Sequence, residues 1–259
     1  MAEGGGLVKI GVVIPARNAA PWLGDLLNSI RQQTHPAHAY IAEDRSTDGT
    51  HQWLRDHPDL YAKMTRNRTR KGWPLTLNAA AKLAIDDGCD AIFTSSADDA
   101  LHPECIARLV AALHGDGGHD FAIPYAQQFG GADTVQVSLP DAGMDDFVRW
   151  PPLIDKALIR REVWEATGGY SPKATPPGTF GTAEDWDWWI RVWKAGFTRY
   201  AVVERPLYFV RVHPDQLSGG RAEHHAATVD LLRKLHPDLA WTDESGVWPP
   251  KHRTTRRTA

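Results

Sequence analysis

The stretch VKIGVVIP, residues 8–15, decides the fold class of this chain. It is an almost uninterrupted apolar run rich in β-branched residues, a pattern typical of a strand that is buried on both faces of a parallel sheet. Residues 21–33 follow, and their apolar side chains recur at helical spacing. A buried strand that leads into an amphipathic helix is the repeating unit of α/β proteins.

The alternation of strand-like and helix-like segments continues through the first half of the chain. Further strands are predicted at residues 39–44, 90–96 and 120–125, and helices near Asp48 and at residues 76–85 and 103–113. This order predicts an α/β fold with a mostly parallel central sheet flanked by helices. In such folds, ligands bind where the carboxyl ends of the strands meet.

The second half is less regular. The predicted elements are an edge strand at 135–140, helices at 159–167, 185–195 and 222–235, and strands at 197–203 and 206–212. Paired glycines, Gly168–Gly169, are predicted to end the first of these helices, and a Pro-, Gly- and Thr-rich loop covers residues 171–183. The helix at 185–195 carries four tryptophans, of which Trp186, Trp189 and Trp193 have the spacing of a core stripe.

Composition excludes several functional classes. The chain has 259 residues, with 29 Lys and Arg and 32 Asp and Glu. The resulting net charge of −3 argues against electrostatic binding of nucleic acid over the whole surface. Two cysteines are too few for a disulfide framework or a four-thiolate zinc site. No apolar run is long enough to span a membrane, and the opening residues do not resemble a secretion signal, so we expect a cytoplasmic protein. The basic segment 251–259 is interpreted as a solvated tail, with binding of an anionic partner as the alternative.

Three polar clusters follow strands of the predicted sheet. They are Arg17–Asn18 after the first strand, Glu43–Asp44 after the second, and Ser96–Asp99 after the strand at 90–96. Because parallel strands end at a common edge, we expect the three clusters to converge there and form one acidic crevice.

Five segments, in order, resemble the family 2 glycosyltransferases, which have the GT-A fold. They are VVIPARN (12–18), EDRSTDGT (43–50), SADD (96–99), EDWDWWIRVWKAG (184–196) and PLYFVRVHPDQLS (206–218). The third lies where the family has its metal-binding DxD-type motif, and the fourth where the family has a helix containing Glu-Asp. The resemblance implies a GT-A domain over residues 1–218, with a nucleotide-binding half at about 8–125, an acceptor-side half at 126–218, and a C-terminal helix and basic tail at 219–259.

The resemblance also implies an activity. Such an enzyme is an inverting glycosyltransferase that moves a sugar from a nucleotide-diphosphate donor, often a UDP-sugar, to an acceptor hydroxyl with Mn²⁺ or Mg²⁺ as cofactor. In the family, the position of Asp44 contacts the base of the nucleotide. The residues implied in donor binding beside Asp44 are Pro15, Arg17, Asn18, Lys71, Asn78 and Asp98. A structural interpretation also fits, because Ser46 or Asp48 would cap a helix and Asn18 suits a turn.

Asp98 and Asp99 are adjacent carboxylates, which are costly side by side unless a cation or hydrogen-bond donors offset their charge. A hard divalent cation takes oxygen ligands, although the same pair could also cap the helix that begins near Pro103. The resemblance implies that Asp99 is the main metal ligand, that Asp98 reaches the metal or the ribose, and that His213 approaches the metal or the diphosphate. The family often has an acid where this chain has Ser96.

Glu184–Asp185 begin the tryptophan-rich helix. Transfer with inversion needs a base that takes the proton of the acceptor hydroxyl, and burial beside apolar rings raises the pKa of a carboxylate toward that task. The resemblance implies that Asp185 is this base and that Glu184 lies on the acceptor side. Trp188 lies off the core stripe and is predicted to stack on a sugar ring. The structural alternative is that both acids only favour the helix N-terminus.

A second class of function also fits the sequence. A catalytically silent module that binds a sugar nucleotide or a glycan would explain the acid that is missing at Ser96, whereas the intact Glu184–Asp185 pair favours the enzyme. The acceptor and the oligomeric state are left open by the sequence. Candidate acceptors are a glycan, a lipid-linked sugar, a protein hydroxyl, a small metabolite or a modified base in nucleic acid.

Overall fold

The computed structural model describes residues 8–174, 183–214, 221–242 and 254–256. The strands are β1 (Ile10–Ala16), β2 (Ala37–Glu43), β3 (Lys63–Arg66), β4 (Ala91–Thr94), β5 (Ala100–Leu101), β6 (Phe121–Phe129), β7 (Thr134–Gln136), β8 (Leu158–Arg160), β9 (Tyr200–Arg211) and β10 (Thr254–Arg256). The helices are α1 (Leu23–Arg31), α2 (Thr50–Asp56), α3 (Trp73–Asp86), α4 (Cys105–Leu113), α5 (Met144–Phe147), α6 (Arg161–Thr167), α7 (Glu184–Lys194) and α8 (Arg221–Leu235).

The described strands form one sheet, in the order β10-β7-β6-β8-β4-β1-β2-β3, with β9 beside β6 and β5 beside β9. Strands β1, β2, β3 and β4 pair in parallel, and β9 pairs in parallel with β6. Strand β8 runs antiparallel between β4 and β6. The predicted α/β fold with a mostly parallel sheet is therefore confirmed, and β2, β1 and β4 end side by side at one edge.

The core follows from the apolar pattern of the first strand and helix. All seven residues of β1 are buried, as a central strand covered on both faces requires. Helix α1 buries Leu23, Leu26, Leu27 and Ile30, which are the positions of its apolar stripe. In α7, Trp186, Trp189 and Trp193 are buried as predicted. No helix among the described residues combines the length and the apolar character needed to cross a membrane.

Several element boundaries differ from the prediction. The two strands predicted at 197–203 and 206–212 are one strand, β9, which pairs along β6 with a shift of register where Pro206 passes Tyr125. The predicted helix at 159–167 begins as the short strand β8 and is helical only from Arg161. Strand β3 was missed because its sequence, KMTR, has no apolar run. Part of the loop predicted at 171–183 lies outside the described residues, and so does the basic tail except for β10.

The turn after α6 supports the first testable prediction. Gly168 and Gly169 both have a left-handed backbone, with φ of 68° and 70°. A Cβ on Gly169 would lie 2.6 Å from Asn78 Oδ1 and 2.8 Å from Trp164 Cζ2, whereas a Cβ on Gly168 would meet no atom within 4 Å. We expect Gly169→Ala to lower the free energy of unfolding by about 3 kcal/mol, because strain and overpacking add. Gly168→Ala should cost only the strain, about 1 kcal/mol.

Urea unfolding of the two variants and the wild type measures this difference. Gly168→Ala is the matched control, since it makes the same change in the same backbone conformation one residue earlier. Equal losses in the two variants would mean that the contact between Gly169 and Asn78 does not constrain the turn.

Candidate functional site

The candidate site lies at the edge of the sheet where β1, β2 and β4 end. Because these three strands are parallel neighbours, the clusters Arg17–Asn18, Glu43–Asp44 and Ser96–Asp99 follow them at the same edge. The sequence predicted this convergence. Pro15 is a buried residue of β1, next to the end of the strand. Arg17, which follows the strand, has an exposed side chain.

Asp44 is only 2% exposed, and protein groups hold its carboxylate firmly. Its Oδ1 accepts hydrogen bonds from Asn67 Nδ2 at 2.8 Å and from the Lys71 backbone N–H at 2.7 Å. Its Oδ2 accepts one from the Gly72 N–H at 2.9 Å. The contact of Lys71 is thus made by its backbone, while its side chain is exposed. Asp44 fixes the loop that leads into α3 and keeps the carboxylate in one orientation.

The loop after β2 is shaped by hydrogen bonds of its own. Asn18 donates its N–H to Ser46 Oγ at 3.1 Å and accepts the Thr47 N–H at 2.9 Å, so it ties the first loop to the second. Asp48 accepts the Thr50 N–H at 2.9 Å just before α2, whose N-cap is Gly49 and has no side-chain capping hydrogen bond. Asn18 and Asp48 therefore have structural contacts, but neither Ser46 nor Asp48 is the N-cap that the structural interpretation expected.

Glu43, the last residue of β2, is a buried carboxylate for which the sequence predicted no role beyond its place in the Glu43–Asp44 cluster. It accepts hydrogen bonds from Arg66 Nε at 2.6 Å and from the Ser46 N–H at 2.5 Å. The buried charge of Glu43 is thereby paired, which avoids the large cost of an isolated carboxylate in the interior. The sequence feature that pointed to Glu43 is its position directly before Asp44.

Asn78 has a structural contact far along the chain. Its Nδ2 donates to the Tyr170 carbonyl at 2.7 Å, and its Oδ1 accepts the Tyr170 N–H at 2.9 Å. This pair of hydrogen bonds joins α3 to the segment after α6. The amide of Asn78 is thus engaged with the backbone of Tyr170, a role that differs from the predicted contact with the nucleotide.

The two carboxylates of the SADD segment point in different directions. Asp99 is 3% exposed; its Oδ2 accepts from the Tyr208 hydroxyl at 2.7 Å and its Oδ1 from the Arg211 N–H at 2.9 Å. Burial, together with the charge of Asp98, raises the pKa of Asp99 to about 7. The Asp98 side chain is 26% exposed, and its Oδ2 lies 2.9 Å from His213 Nε2. Asp98 and His213 therefore form the accessible pair.

His213 is held in place by the helix that follows β1. Its ring stacks on Trp22 with a centroid separation of 4.1 Å and an interplanar angle of 29°. Arg211, two residues earlier, donates from Nε to the Asp98 carbonyl at 2.8 Å and from Nη2 to Asp25 Oδ2 at 2.9 Å. The end of β9 is thus fixed to the start of α1, and Arg211 pairs with an acid.

Asp98 and His213 have the chemistry of metal ligands, one carboxylate oxygen and one imidazole nitrogen. Among the described residues, no three His, Cys, Asp or Glu side chains come together as a complete metal site. Mg²⁺ and similar cations are commonly held by one or two carboxylates together with substrate phosphates. The residues therefore fit a cation that takes its remaining ligands from a bound diphosphate.

Asp185 lies in the first turn of α7 and is half-buried, with its Oδ1 accepting the Trp186 N–H at 2.8 Å. Glu184, beside it, is buried. Burial raises the pKa of the Tyr170 phenol well above its usual value, and the charges of Asp155, Asp185 and Glu184 raise it further. The carboxylates of Asp155, Asp185 and Glu184 thus act electrostatically on the Tyr170 phenol.

Trp188 is a core residue. It is 1% exposed, its Nε1 donates to Thr167 Oγ1 at 3.0 Å, and its ring lies against Trp164 and Tyr170 with centroid separations of 5.4 and 5.6 Å. The prediction that Trp188 stacks on a sugar ring is therefore wrong for this conformation. Its position off the apolar stripe was misleading because α6 covers that side of α7.

Lys156 is a residue of the site that no motif in the sequence indicated. It is 6% exposed, and its Nζ donates to Asp155 Oδ2 at 2.8 Å and to Ser96 Oγ at 3.0 Å. The ammonium also lies over the rings of Trp73 and Tyr208, 5.6 and 5.7 Å from their centroids. A lysine inside the apolar segment PPLIDKALI, residues 151–159, was the available signal.

Comparison with solved structures supports the fold. S. aureus TarS 1–349 in complex with UDP-GlcNAc has a TM-score of 0.69 and 17% identity, over 91% of this chain and 67% of that one. Mannosyltransferase PcManGT from Pyrobaculum calidifontis in complex with GDP-Man and Mn²⁺ has a TM-score of 0.63 and 19% identity, over 91% and 66%. GalNAc-T7 with UDP, GalNAc and Mn²⁺ has a TM-score of 0.58 and 17% identity, over 80% and 44%.

Sequence comparison decides the family. No curated protein matches the chain. The family model described as glycosyl transferase family 2 matches residues 11–172, which is more than half of the chain and includes the first three of the five segments. The resemblance found in the sequence is thereby confirmed, and the chain belongs to glycosyl transferase family 2.

Proposed function

We propose that this protein transfers a sugar from a nucleotide-diphosphate donor, a UDP-sugar, to an acceptor hydroxyl with inversion at the anomeric carbon. The observation that carries the proposal is the convergence of Asp44, of the Asp98–His213 pair and of the loops after β1 at one edge of the sheet. The family supports a glycosyltransferase, and the neighbours TarS and PcManGT were solved with nucleotide sugars. In this proposal the nucleotide-binding half is at about 8–125 and the acceptor-side half at 126–218.

Asp44 is the residue that we assign to the base of the nucleotide. Two carboxylate oxygens offer about four acceptor sites, of which three are used by Asn67, Lys71 and Gly72. The remaining lone pair would accept an N–H of the base, and uracil provides one. A carboxylate that is already fixed by three donors loses little conformational freedom when it binds.

Asp98 and His213 are the residues that we assign to a divalent cation. Asp99 has both of its oxygens occupied by groups from β9, so we assign it the role of holding that strand against the site. When bound, the cation would neutralise charge on the diphosphate and on the departing nucleotide. Stacking on Trp22 keeps the His213 imidazole in position.

Asp185 is the residue that we assign as the general base. Its carboxylate takes the proton of the acceptor hydroxyl while the hydroxyl oxygen forms a bond to the anomeric carbon. The bond from that carbon to the diphosphate oxygen breaks, and the nucleoside diphosphate leaves with the electron pair. Attack from the face opposite the leaving group inverts the anomeric centre. Glu184, its buried neighbour, would contribute to the acceptor side.

Thermal unfolding with nucleoside diphosphates, each with and without Mn²⁺ or Mg²⁺, tests the proposal. A ligand at about 100 times its dissociation constant adds about 2.7 kcal/mol to stability, so we expect UDP with Mn²⁺ to raise Tm by about 5 °C. Mn²⁺ alone and UMP with Mn²⁺ are the controls. If no nucleotide changes the Tm of a folded sample, the silent glycan-binding module becomes the better hypothesis.

A further inference from the structure

Lys156 occupies a defined place beneath the SADD segment. The backbone around it is fixed to the end of β4, since Thr94 Oγ1 donates to the Asp155 carbonyl at 2.5 Å and accepts the Ala157 N–H at 3.2 Å. The side chain is almost fully buried. A charge inside the protein is costly unless it is paired. The groups that stabilise this buried ammonium therefore have to be identified.

Asp155 and Ser96 are the hydrogen-bond partners of this buried ammonium. An ammonium group has three N–H donors, and two of them reach Asp155 Oδ2 and Ser96 Oγ. The faces of Trp73 and Tyr208 give further electrostatic stabilisation. The negative charges of Asp155, Asp99 and Asp98 keep the pKa of Lys156 above its usual value despite burial, so the group stays charged.

Lys156 is connected to Asp99 through a short chain of hydrogen bonds. Ser96 receives the ammonium at its hydroxyl and donates its own N–H to the Tyr208 hydroxyl at 3.0 Å. Tyr208 in turn donates to Asp99 Oδ2 at 2.7 Å. Lys156 therefore lies on the protein side of the same segment whose Asp98 faces His213 on the open side.

The charge balance of this site includes the buried ammonium. Ser96 adds no charge of its own, and the Lys156 ammonium lies 3.0 Å from its hydroxyl. Lys156 thus places a positive charge among the carboxylates of Asp155, Asp99 and Asp98, and the site is more positive than it would be without this lysine. A more positive site attracts a diphosphate more strongly and a free divalent cation more weakly.

We propose that Lys156 is a built-in counter-charge of the donor site, which shares with the divalent cation the neutralisation of the donor diphosphate. The proposal rests on the proposed function in so far as the anion is a nucleotide diphosphate. It means that the site binds nucleoside diphosphates appreciably without a cation and binds a cation only weakly until the diphosphate is present.

Lys156→Met removes the charge and keeps most of the volume of the side chain. We expect Mn²⁺ to bind about tenfold more tightly in the absence of nucleotide, and UDP to bind about tenfold more weakly in the presence of EDTA. Manganese binding is measured by electron paramagnetic resonance and UDP binding by calorimetry. Lys82→Met is the control, since Lys82 forms an exposed pair with Asp86 on α3.

Ser96→Asp tests the same idea while the Lys156 side chain is kept. It adds a negative charge next to Lys156, so both affinities should change in the same directions as in Lys156→Met. Ser96→Ala is its matched control: it removes the hydroxyl that accepts from Lys156 without adding a charge, so it should change Mn²⁺ binding much less than Ser96→Asp does. Opposite changes for cation and anion separate an electrostatic role from damage to the fold, because a damaged site loses both ligands.

Two results overturn the proposal. One is that Mn²⁺ binding is unchanged or weaker in both charge variants, and the other is that UDP binding in EDTA is unaffected by them. If UDP binds to no form of the protein under any condition, the proposed function fails. Manganese binding by Lys156→Met and Ser96→Asp then still decides whether Lys156 is the counter-charge of the Asp98–Asp99 cluster.

Discussion

Asp185→Asn should lower the rate of glycosyl transfer by about 10²- to 10⁴-fold and leave the affinity for the donor nucleotide unchanged. The amide of asparagine has nearly the shape of the carboxylate but cannot accept the proton of the acceptor hydroxyl. Asp185 lies in the first turn of α7 and is not among the residues that we assign to the nucleotide base or to the cation, so we expect donor binding to be independent of its charge. Single-turnover transfer and a nucleotide titration on the same sample measure the two quantities.

The controls separate a base from an acid that only favours a helix N-terminus. Glu162→Gln removes an exposed carboxylate from the first turn of α6 and should leave the transfer rate at the wild-type value. Glu184→Gln tests the buried neighbour of Asp185. If Asp185→Asn transfers at the wild-type rate and Glu184→Gln does not, the base is Glu184.

Asp98→Asn and His213→Ala should each abolish most of the gain in nucleotide affinity that Mn²⁺ provides, a loss of about 10- to 100-fold. Each variant removes one of the two protein ligands that we assign to the cation. Nucleotide binding in EDTA should change much less, because the contacts of Asp44 and the charge of Lys156 remain. Calorimetric titration of UDP with and without Mn²⁺ gives both values.

Asp99→Asn is the matched control for Asp98→Asn, because it makes the same change at the neighbouring residue. Its oxygen can still accept the Arg211 N–H and its amide can donate to the Tyr208 hydroxyl, so the strand contact survives in neutral form. We expect the response to Mn²⁺ to be largely retained. A response that is lost in Asp99→Asn and kept in Asp98→Asn would make Asp99 the ligand, as the family resemblance implied.

The features that the sequence predicted correctly are those with local causes. The buried run in β1 and the apolar stripe of α1 are set by residues a few positions apart, and both have the expected burial. Once β1, β2 and β4 are strands of a parallel sheet, their polar carboxyl ends must meet. The family motifs then predicted which of the converging residues carry chemistry.

The features that it did not predict depend on partners that are distant in sequence. Asp99 turns inward because Tyr208 and Arg211 arrive from β9, 109 and 112 positions later. Asn78 is engaged by Tyr170, 92 positions away. No local pattern around Asp99 or Asn78 contains that information. Lys156 was missed for the same reason, since its importance lies in its contact with Ser96.

The attachment of the end of β9 to α1 has a consequence for how the site matures during synthesis. His213 lies 115 positions after Asp98, and Arg211 lies 186 positions after the Asp25 that it contacts. Contacts of such long range close late, because a large loop must be ordered first. Until β9 has been synthesised and has docked, Asp98 lacks the His213 side chain that we assign to the same cation. In the proposed function, competence to hold the cation therefore arrives only when β9 docks, and cation binding would report that folding step.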